Sequence, residues 1–195
     1  MKLYNLVAND SSFNDWLFWY EDSAGYVRPR DAYADLVCAI CGKLDEETAI
    51  SRGIDPNVTI QSKRDFVEMS DGLIGASGRV RDAFDEGGIR GVRFIQLSDG
   101  NHSILWPEVR VVTDLSTAGF EFVAPRCTGC GRYREVCVGP LSRSLSVPDD
   151  PIVVFTSEVW NEDTRGRVLW LFAQEPVVRV LKKRLLSGLE LLNAT

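Results

Sequence analysis

Ser77-Gly78-Arg79-Val80-Arg81-Asp82-Ala83-Phe84-Asp85-Glu86-Gly87-Gly88-Ile89-Arg90-Gly91-Val92-Arg93-Phe94-Ile95-Gln96-Leu97 changes periodicity partway along. Val80, Ala83 and Phe84 recur at i, i+3, i+4, the spacing of one helical face, while Arg81, Asp82, Asp85 and Glu86 face away. Ser77 stands where an N-cap hydroxyl can take a free amide of the first turn. Gly87-Gly88 offers the positive φ that stops a helix. Beyond it, Gly91 to Leu97 reads as a strand carrying Val92 and Phe94. A helix running through a glycine into a strand points to an α+β fold, with mixed sheets.

The end of the chain follows the same plan. Pro176 suits a first helical turn. Val177, Val178, Leu181 and Leu185 share a face against Arg179, Lys182 and Lys183, and Ser187 to Leu191 reads as a final strand. Ile89-Arg90-Gly91-Val92-Arg93-Phe94 and Leu186-Ser187-Gly188-Leu189-Glu190-Leu191 both set an aliphatic residue, a polar one and a glycine ahead of alternating strand residues. We read a duplicated helix–Gly–strand unit; the alternative is chance, since helix–turn–strand units resemble one another. The two main helices are expected near residues 77–86 and 176–186.

Elsewhere the pattern is plainer. Leu3 to Val7 is strand-like and precedes an aromatic cluster of Phe13, Trp16, Phe18, Trp19 and Tyr20. Residues 42–57 are charged and end in the loop Gly53-Ile54-Asp55-Pro56-Asn57. Val58 to Ile60, Pro151 to Phe155 and Val168 to Phe172 are expected as strands.

Two motifs carry chemistry: Cys38-Ala39-Ile40-Cys41-Gly42 and Cys127-Thr128-Gly129-Cys130-Gly131. Two residues between cysteines let both thiolates of a turn reach one tetrahedral ion, with Zn–S bonds of about 2.3 Å. The trailing glycine permits the positive φ that folds the chain back toward the sulfurs. Four thiolates on one Zn²⁺ leave no open position, so the expected role of Cys38, Cys41, Cys127 and Cys130 is structural, with one zinc per chain. The gap between Cys41 and Cys127 is 85 residues, longer than an ordinary zinc ribbon uses, but closure entropy grows only logarithmically with length. A redox dithiol and metal-free structural thiols are the alternatives. Cys137, in the alternating run Tyr133 to Val138, is expected in the core.

These readings give one compact domain over residues 1–195. A zinc-ribbon-like element comes from residues 32–44 and 123–138, with residues 45–122 inserted and a C-terminal helix–strand unit over residues 147–195. The chain has 195 residues, a net charge of −6 and a pI near 4.9. That balance argues against a nucleic-acid surface or docking on an anionic membrane, and it permits a basic protein partner. The only dense basic cluster is Arg179, Lys182, Lys183 and Arg184. No apolar run approaches the roughly 20 residues of a membrane span, and the N-terminal run is too short for a signal peptide. The expected location is the cytoplasm, where cysteines serve as thiols or metal ligands. His102, the single histidine, is expected to be a solvated loop residue. No phosphate loop, nucleophile elbow or HExxH is present, so an enzyme is not expected.

At the paired Cys-x-x-Cys-Gly motifs the chain resembles the bacterial double-CXXCG family of immunity proteins. Pro125-Arg126-Cys127-Thr128-Gly129-Cys130-Gly131-Arg132 resembles that family's Arg-Cys-x-x-Cys-Gly-Arg segment. Val147-Pro148-Asp149-Asp150-Pro151-Ile152 through Phe155-Thr156-Ser157-Glu158 resembles its Asp-rich turn and following strand, and Gly91-Val92-Arg93-Phe94 is similar to a piece shared with related immunity proteins. The resemblance implies a non-catalytic inhibitor that binds one cognate toxin. Interfaces depend on a few aromatic or charged anchors, and Trp16, Trp19, Trp106 and Trp160 are candidates where exposed, with core packing the first expectation for each. A zinc-ribbon nucleic-acid-binding or regulatory protein is the alternative.

Overall fold

The structure, a computed structural model, describes residues 2–9, 11–12, 16–112, 120–133, 136–138, 145–157, 161–162, 167–168 and 170–194. Phe13 and Trp160 lie outside the described residues, as does the burial of Cys137. The strands are β1 (Leu3–Ala8), β2 (Ser11–Ser12), β3 (Trp19–Glu21), β4 (Val27–Pro29), β5 (Phe66–Met69), β6 (Ile74–Ser77), β7 (Val92–Gln96), β8 (His102–Pro107), β9 (Arg110–Val111), β10 (Phe120–Val123), β11 (Val136–Val138), β12 (Val154–Ser157), β13 (Asn161–Glu162), β14 (Arg167–Val168), β15 (Leu171–Gln174) and β16 (Leu189–Asn193). The helices are α1 (Glu46–Arg52), α2 (Gly78–Gly87) and α3 (Glu175–Lys183), with a 3-10 turn over Asp31–Leu36. The fold is mixed α+β.

Two five-stranded sheets share one plan. Their orders are β2-β5-β6-β8-β7 and β9-β12-β15-β1-β16. In each, the short first strand runs parallel to its neighbour and every other pairing is antiparallel. The registers correspond too. Leu105 of β8 faces Ile74 on one side and Phe94 on the other, and Leu6 of β1 faces Leu171 and Leu191. Helix α2 carries the chain from β6 over β8 to β7; α3 carries it from β15 over β1 to β16. Each middle strand therefore comes from the other half of the chain: β1 completes the later sheet and β8 the earlier one.

The apolar faces expected for the helices are the buried ones, Val80, Ala83 and Phe84 on α2 and Val177, Val178 and Leu181 on α3. Gly87 brings them close, because a Cβ there would stand 2.6 Å from Val180 Cγ1. The segments compared in the sequence occupy matching places. Gly91 (φ +93) presses on the Val154 carbonyl and Gly188 (φ +78) on the Phe66 carbonyl, where a Cβ would meet oxygen at 2.0 and 2.2 Å. Val154 and Phe66 are themselves register equivalents, and each donates its N–H to the residue before the opposing glycine, Val154 to Arg90 O (2.8 Å) and Phe66 to Ser187 O (3.0 Å).

Several expectations are corrected. Val58–Ile60 forms no strand; Val58 and Ile60 are buried, and Ile60 Cδ1 fills the space beside Gly75, so the segment packs by side chains instead of pairing its backbone. Residues 46–52 of the charged stretch form α1, capped by Asp45, whose carboxylate accepts from Thr48 N (3.1 Å). Pro151–Ile152 is a turn, with the strand beginning at Val154. Val168–Phe172 is split between β14 and β15, which enter different sheets. Ser77 holds the N-cap position without a cap hydrogen bond; its hydroxyl donates instead to the buried Asp65 (2.7 Å). Asp65 also accepts from Arg79 Nη1 (2.9 Å), Ser187 N (2.8 Å) and Ser187 Oγ (2.9 Å), which ties the start of α2 to the strand after α3. Leu185 stands 85% exposed with φ +49, beyond the end of α3.

Alanine at Gly91 or Gly188 drives a Cβ into a backbone carbonyl, and each substitution is expected to destabilise by about 3 kcal/mol or more. Gly100→Ala, also at positive φ but with nothing within 4 Å, is expected to cost only about 1 kcal/mol; urea unfolding of the three variants checks the ranking. Asp71 gives a pH prediction. Its Oδ2 accepts the N–H of Leu17 and of Phe18, both at 2.9 Å, and burial pushes its carboxyl up to about 6. The folded state then holds the proton more tightly than the unfolded chain, whose Asp titrates near about 3.9. Asp71 therefore makes stability fall as pH rises from about 4 through about 6, by on the order of 3 kcal/mol. Asp71→Asn keeps an acceptor for both amides and is expected to remove that slope in denaturation measured across pH 4–7.

Candidate metal centre

The two Cys-x-x-Cys-Gly turns are built alike. Cys38 N donates to Lys43 O (2.8 Å) and Gly42 N to Cys38 O (2.8 Å); Cys127 N donates to Arg132 O (2.7 Å) and Gly131 N to Cys127 O (2.9 Å). Gly42 and Gly131 both have φ +73, the left-handed conformation that lets each turn close. A single antiparallel bridge shuts each one, Val37 with Leu44 and Arg126 with Tyr133. One turn lies in each half of the chain, after the strand that half lends to the other sheet, β1 or β8, and before the longer strands of its own sheet, which begin with β5 and β12.

The structure brings all four sulfurs within 4.8 Å of one another. Cys38 Sγ lies 3.8 Å from Cys127 Sγ, and Cys41 Sγ 3.6 Å from Cys130 Sγ. A tetrahedron with metal–sulfur bonds of about 2.3 Å has edges of about 3.8 Å, so the spacing suits one four-coordinate ion. Disulfides are shorter, at about 2.05 Å, and all four thiols are free. Cys127 is buried, Cys38 and Cys41 are half-buried and Cys130 is exposed.

Backbone amides already favour thiolate at two positions. The N–H groups of Cys130 and Gly129 hold the Cys127 thiol down to about 6, and those of Cys41 and Ile40 lower Cys38. Burial pushes Cys41 up to about 12. Four crowded sulfurs cannot all carry charge without a cation among them, the electrostatic condition that a divalent ion meets.

The turns also contact each other without the sulfurs. Ile40 and Gly129 hold the same place in their motifs and lie against one another: a Cβ on Gly129 would be 3.0 Å from Ile40 Cδ1 and 3.3 Å from Cys38 Sγ. Arg132 donates to the Leu44 carbonyl and pairs with Glu46 at 3.1 Å, fixing the second turn to α1. Arg110 pairs with Glu47 on the same helix. Arg126 stacks over the Tyr133 ring with its guanidinium carbon 4.5 Å from the centroid. Arg132 and Glu46 were not singled out from the sequence. The signal for α1 was present in Asp45-Glu46-Glu47-Thr48, a capping residue followed by an acidic first turn, and in Gly53 as its stop.

Cys137 stands in β11 with its backbone in register with Phe122. The expectation for His102 is corrected: it opens β8 and is only 7% exposed, because the hairpin turn ends before it and the register with Ser77 draws it into the sheet. Its Nδ1 lies 3.9 Å from Asp99 Oδ2 and makes no hydrogen bond. Trp106 is buried in the core, while Trp16 and Trp19 are half-buried. Among the described residues, no helix is long and apolar enough to cross a membrane.

Protein purified from zinc-replete medium is expected to carry about one zinc per chain by elemental analysis. Cys38→Ser and Cys130→Ser are each expected to lower stability by about 2 kcal/mol or more, a fall of about 4–8 °C in melting temperature. Cys137→Ser is expected to leave the metal content unchanged.

No protein-family model matches the chain and no curated protein is similar to it, so the reading of the centre rests on its own geometry and donor chemistry.

Proposed function

We propose that this chain is a non-catalytic, zinc-containing immunity protein of the double-CXXCG type, which acts in the cytoplasm by binding and neutralising a cognate toxin. The observation that carries the proposal is the closed set of four thiolates drawn equally from the two halves of the chain. An ion held by all four has no position left for a substrate, so its contribution is to the shape of the protein. A shape held by metal at the junction of two halves is what a binding protein needs. The matching sheets and matching turns further support reading the halves as copies of one unit.

Charge favours a basic protein as the partner. The net charge of −6 speeds encounter with a cationic toxin domain through complementary fields. The nucleic-acid alternative needs free basic residues, and the cluster on α3 offers few. Arg184 pairs with Glu86 and Arg179 lies 3.9 Å from Glu175, which leaves Lys182 and Lys183.

Co-expression tests the proposal. The toxin encoded beside this gene is expected to kill alone and to be tolerated with this protein, and the two are expected to co-purify with an affinity that falls as salt is added. Equal killing in both cases overturns the proposal, and tight binding of duplex DNA at physiological salt turns it toward the regulatory alternative.

A further inference from the structure

The two five-stranded sheets match strand for strand, but between the short parallel strand and the cysteine turn the first half carries the longer segment: Ser12 to Val37 exceeds its counterpart, Val111 to Arg126. The longer segment includes a ribbon, β3 paired with β4, that forms a separate two-stranded sheet. The shared frame is complete without it.

The ribbon is nevertheless held in one conformation. Asp22 accepts the N–H of Ala24 and of Tyr26, both at 3.0 Å, and pairs with Arg28 at 2.6 Å, which fixes the turn. Its base is pinned where Asp71 takes the amides of Leu17 and Phe18 and where Arg30 N donates to Phe18 O (2.9 Å). Trp19 and Pro29 lie opposite each other on one face, and Trp19 packs against the core. The other face carries Tyr20 opposite Arg28, with Tyr26 two residues along, and it is turned to solvent: Tyr20 is 36% and Tyr26 65% exposed. Arg28 lies 5.9 Å from the Tyr26 ring centroid, within the range of a cation on an aromatic face.

The local charge has a sign. The arginines around the ribbon are each engaged by a carboxylate: Arg28 by Asp22, Arg30 by Asp55 at 3.6 Å and Arg52 by Asp35 at 2.6 Å. Glu21 and Asp31 are exposed and have no ion pair among the described residues. Two presented tyrosines, with the uncompensated Glu21 alternating to the Trp19 face of the same thin ribbon and Asp31 just past its end, suit lysine and arginine side chains, through ring faces and phenolic oxygens in contact and charge at longer range. A rigid ribbon also loses little entropy on binding. We propose that the outer face of the β3–β4 ribbon is the docking surface for a cationic protein, with Tyr20 and Tyr26 as anchors and Glu21 and Asp31 as steering charges. This rests on the reading of the chain as a binding protein for a basic toxin.

Calorimetric titration of the full-length protein with the toxin encoded beside its gene tests the assignment. Tyr20→Ala/Tyr26→Ala is expected to weaken binding by about 10-fold or more. Glu21→Gln/Asp31→Asn is expected to weaken it by roughly two- to fivefold and to flatten its salt dependence. Leu185→Ala, which removes a more exposed apolar side chain elsewhere, is expected to leave affinity unchanged. Melting temperature and zinc content check that the variants are folded; should the double tyrosine variant fail to fold, Tyr26→Ser alone decides. Wild-type binding with no loss in the tyrosine variant overturns the surface and leaves the function standing. No wild-type binding overturns the function, and the surface with it. Wild-type dimers that the tyrosine variant converts to monomers overturn the cationic partner in favour of a second copy.

Discussion

Strand β8 is hydrogen-bonded along both edges to strands of the first half, and β1 is hydrogen-bonded along both edges to strands of the second. The rest of the architecture depends on this exchange. In each half a helix carries the chain between strands that are two places apart in the sheet, so the place between them must be filled from elsewhere. Left empty, it would strand the backbone amides and carbonyls of β6 and β7, or of β15 and β16, in the interior, where unpaired polar groups are costly. Neither half can satisfy its own backbone, and folding becomes cooperative across the whole chain. The glycine corners follow from the same requirement. Gly91 and Gly188 sit where each half's returning strand crosses a strand of the other, and a side chain at either crossing would hold the two backbones apart.

The cysteine turns benefit from the exchange. Their separation in sequence looks prohibitive for one small ion, but the turns do not hang on 85 residues of free chain. Each springs from a half already locked to the other, and Arg132 with Glu46 and Ile40 with Gly129 register them further. The entropy of bringing the ligands together is met mostly by strand pairing and core burial.

The sequence made the helical faces, the cysteine chemistry and the Gly91–Gly188 correspondence legible, because each rests on a local rule: a 3.6-residue period, a ligand spacing, a positive φ. What stayed hidden was set by distant neighbours. Nothing in Leu3 to Ala8 says that it pairs with strands more than 160 residues away. His102 reads as a loop residue from Asp99-Gly100-Asn101, yet the register with Ser77 places it inside. Val58 and Ile60 have strand chemistry but meet side chains where a strand needs a backbone partner. The Ser77 hydroxyl faces two possible partners, and the buried carboxylate of Asp65 outcompetes the helix amides, since hydrogen bonds to a charged group are the stronger. Helix α1 is the different case: its cap and stop were present locally but sat inside a stretch whose charge density suggested a loop.

An ion at the four cysteines would therefore stand in a different relation to the fold than in an isolated zinc finger, where the metal supplies nearly all the organisation and its removal unfolds the chain. Here the sheets and the helix pair have backbone and apolar partners that do not involve sulfur. A metal held by the four cysteines would act where those partners run out, at two short turns whose tips reach solvent: Cys130 is exposed and Ile40 stands 55% exposed. Without a cation, four sulfurs within 4.8 Å cannot all be ionised, and the turns lose the interaction that holds their tips together. An ion held there would act on the segments that flank it, the 3-10 turn before Cys38 and α1 after Leu44.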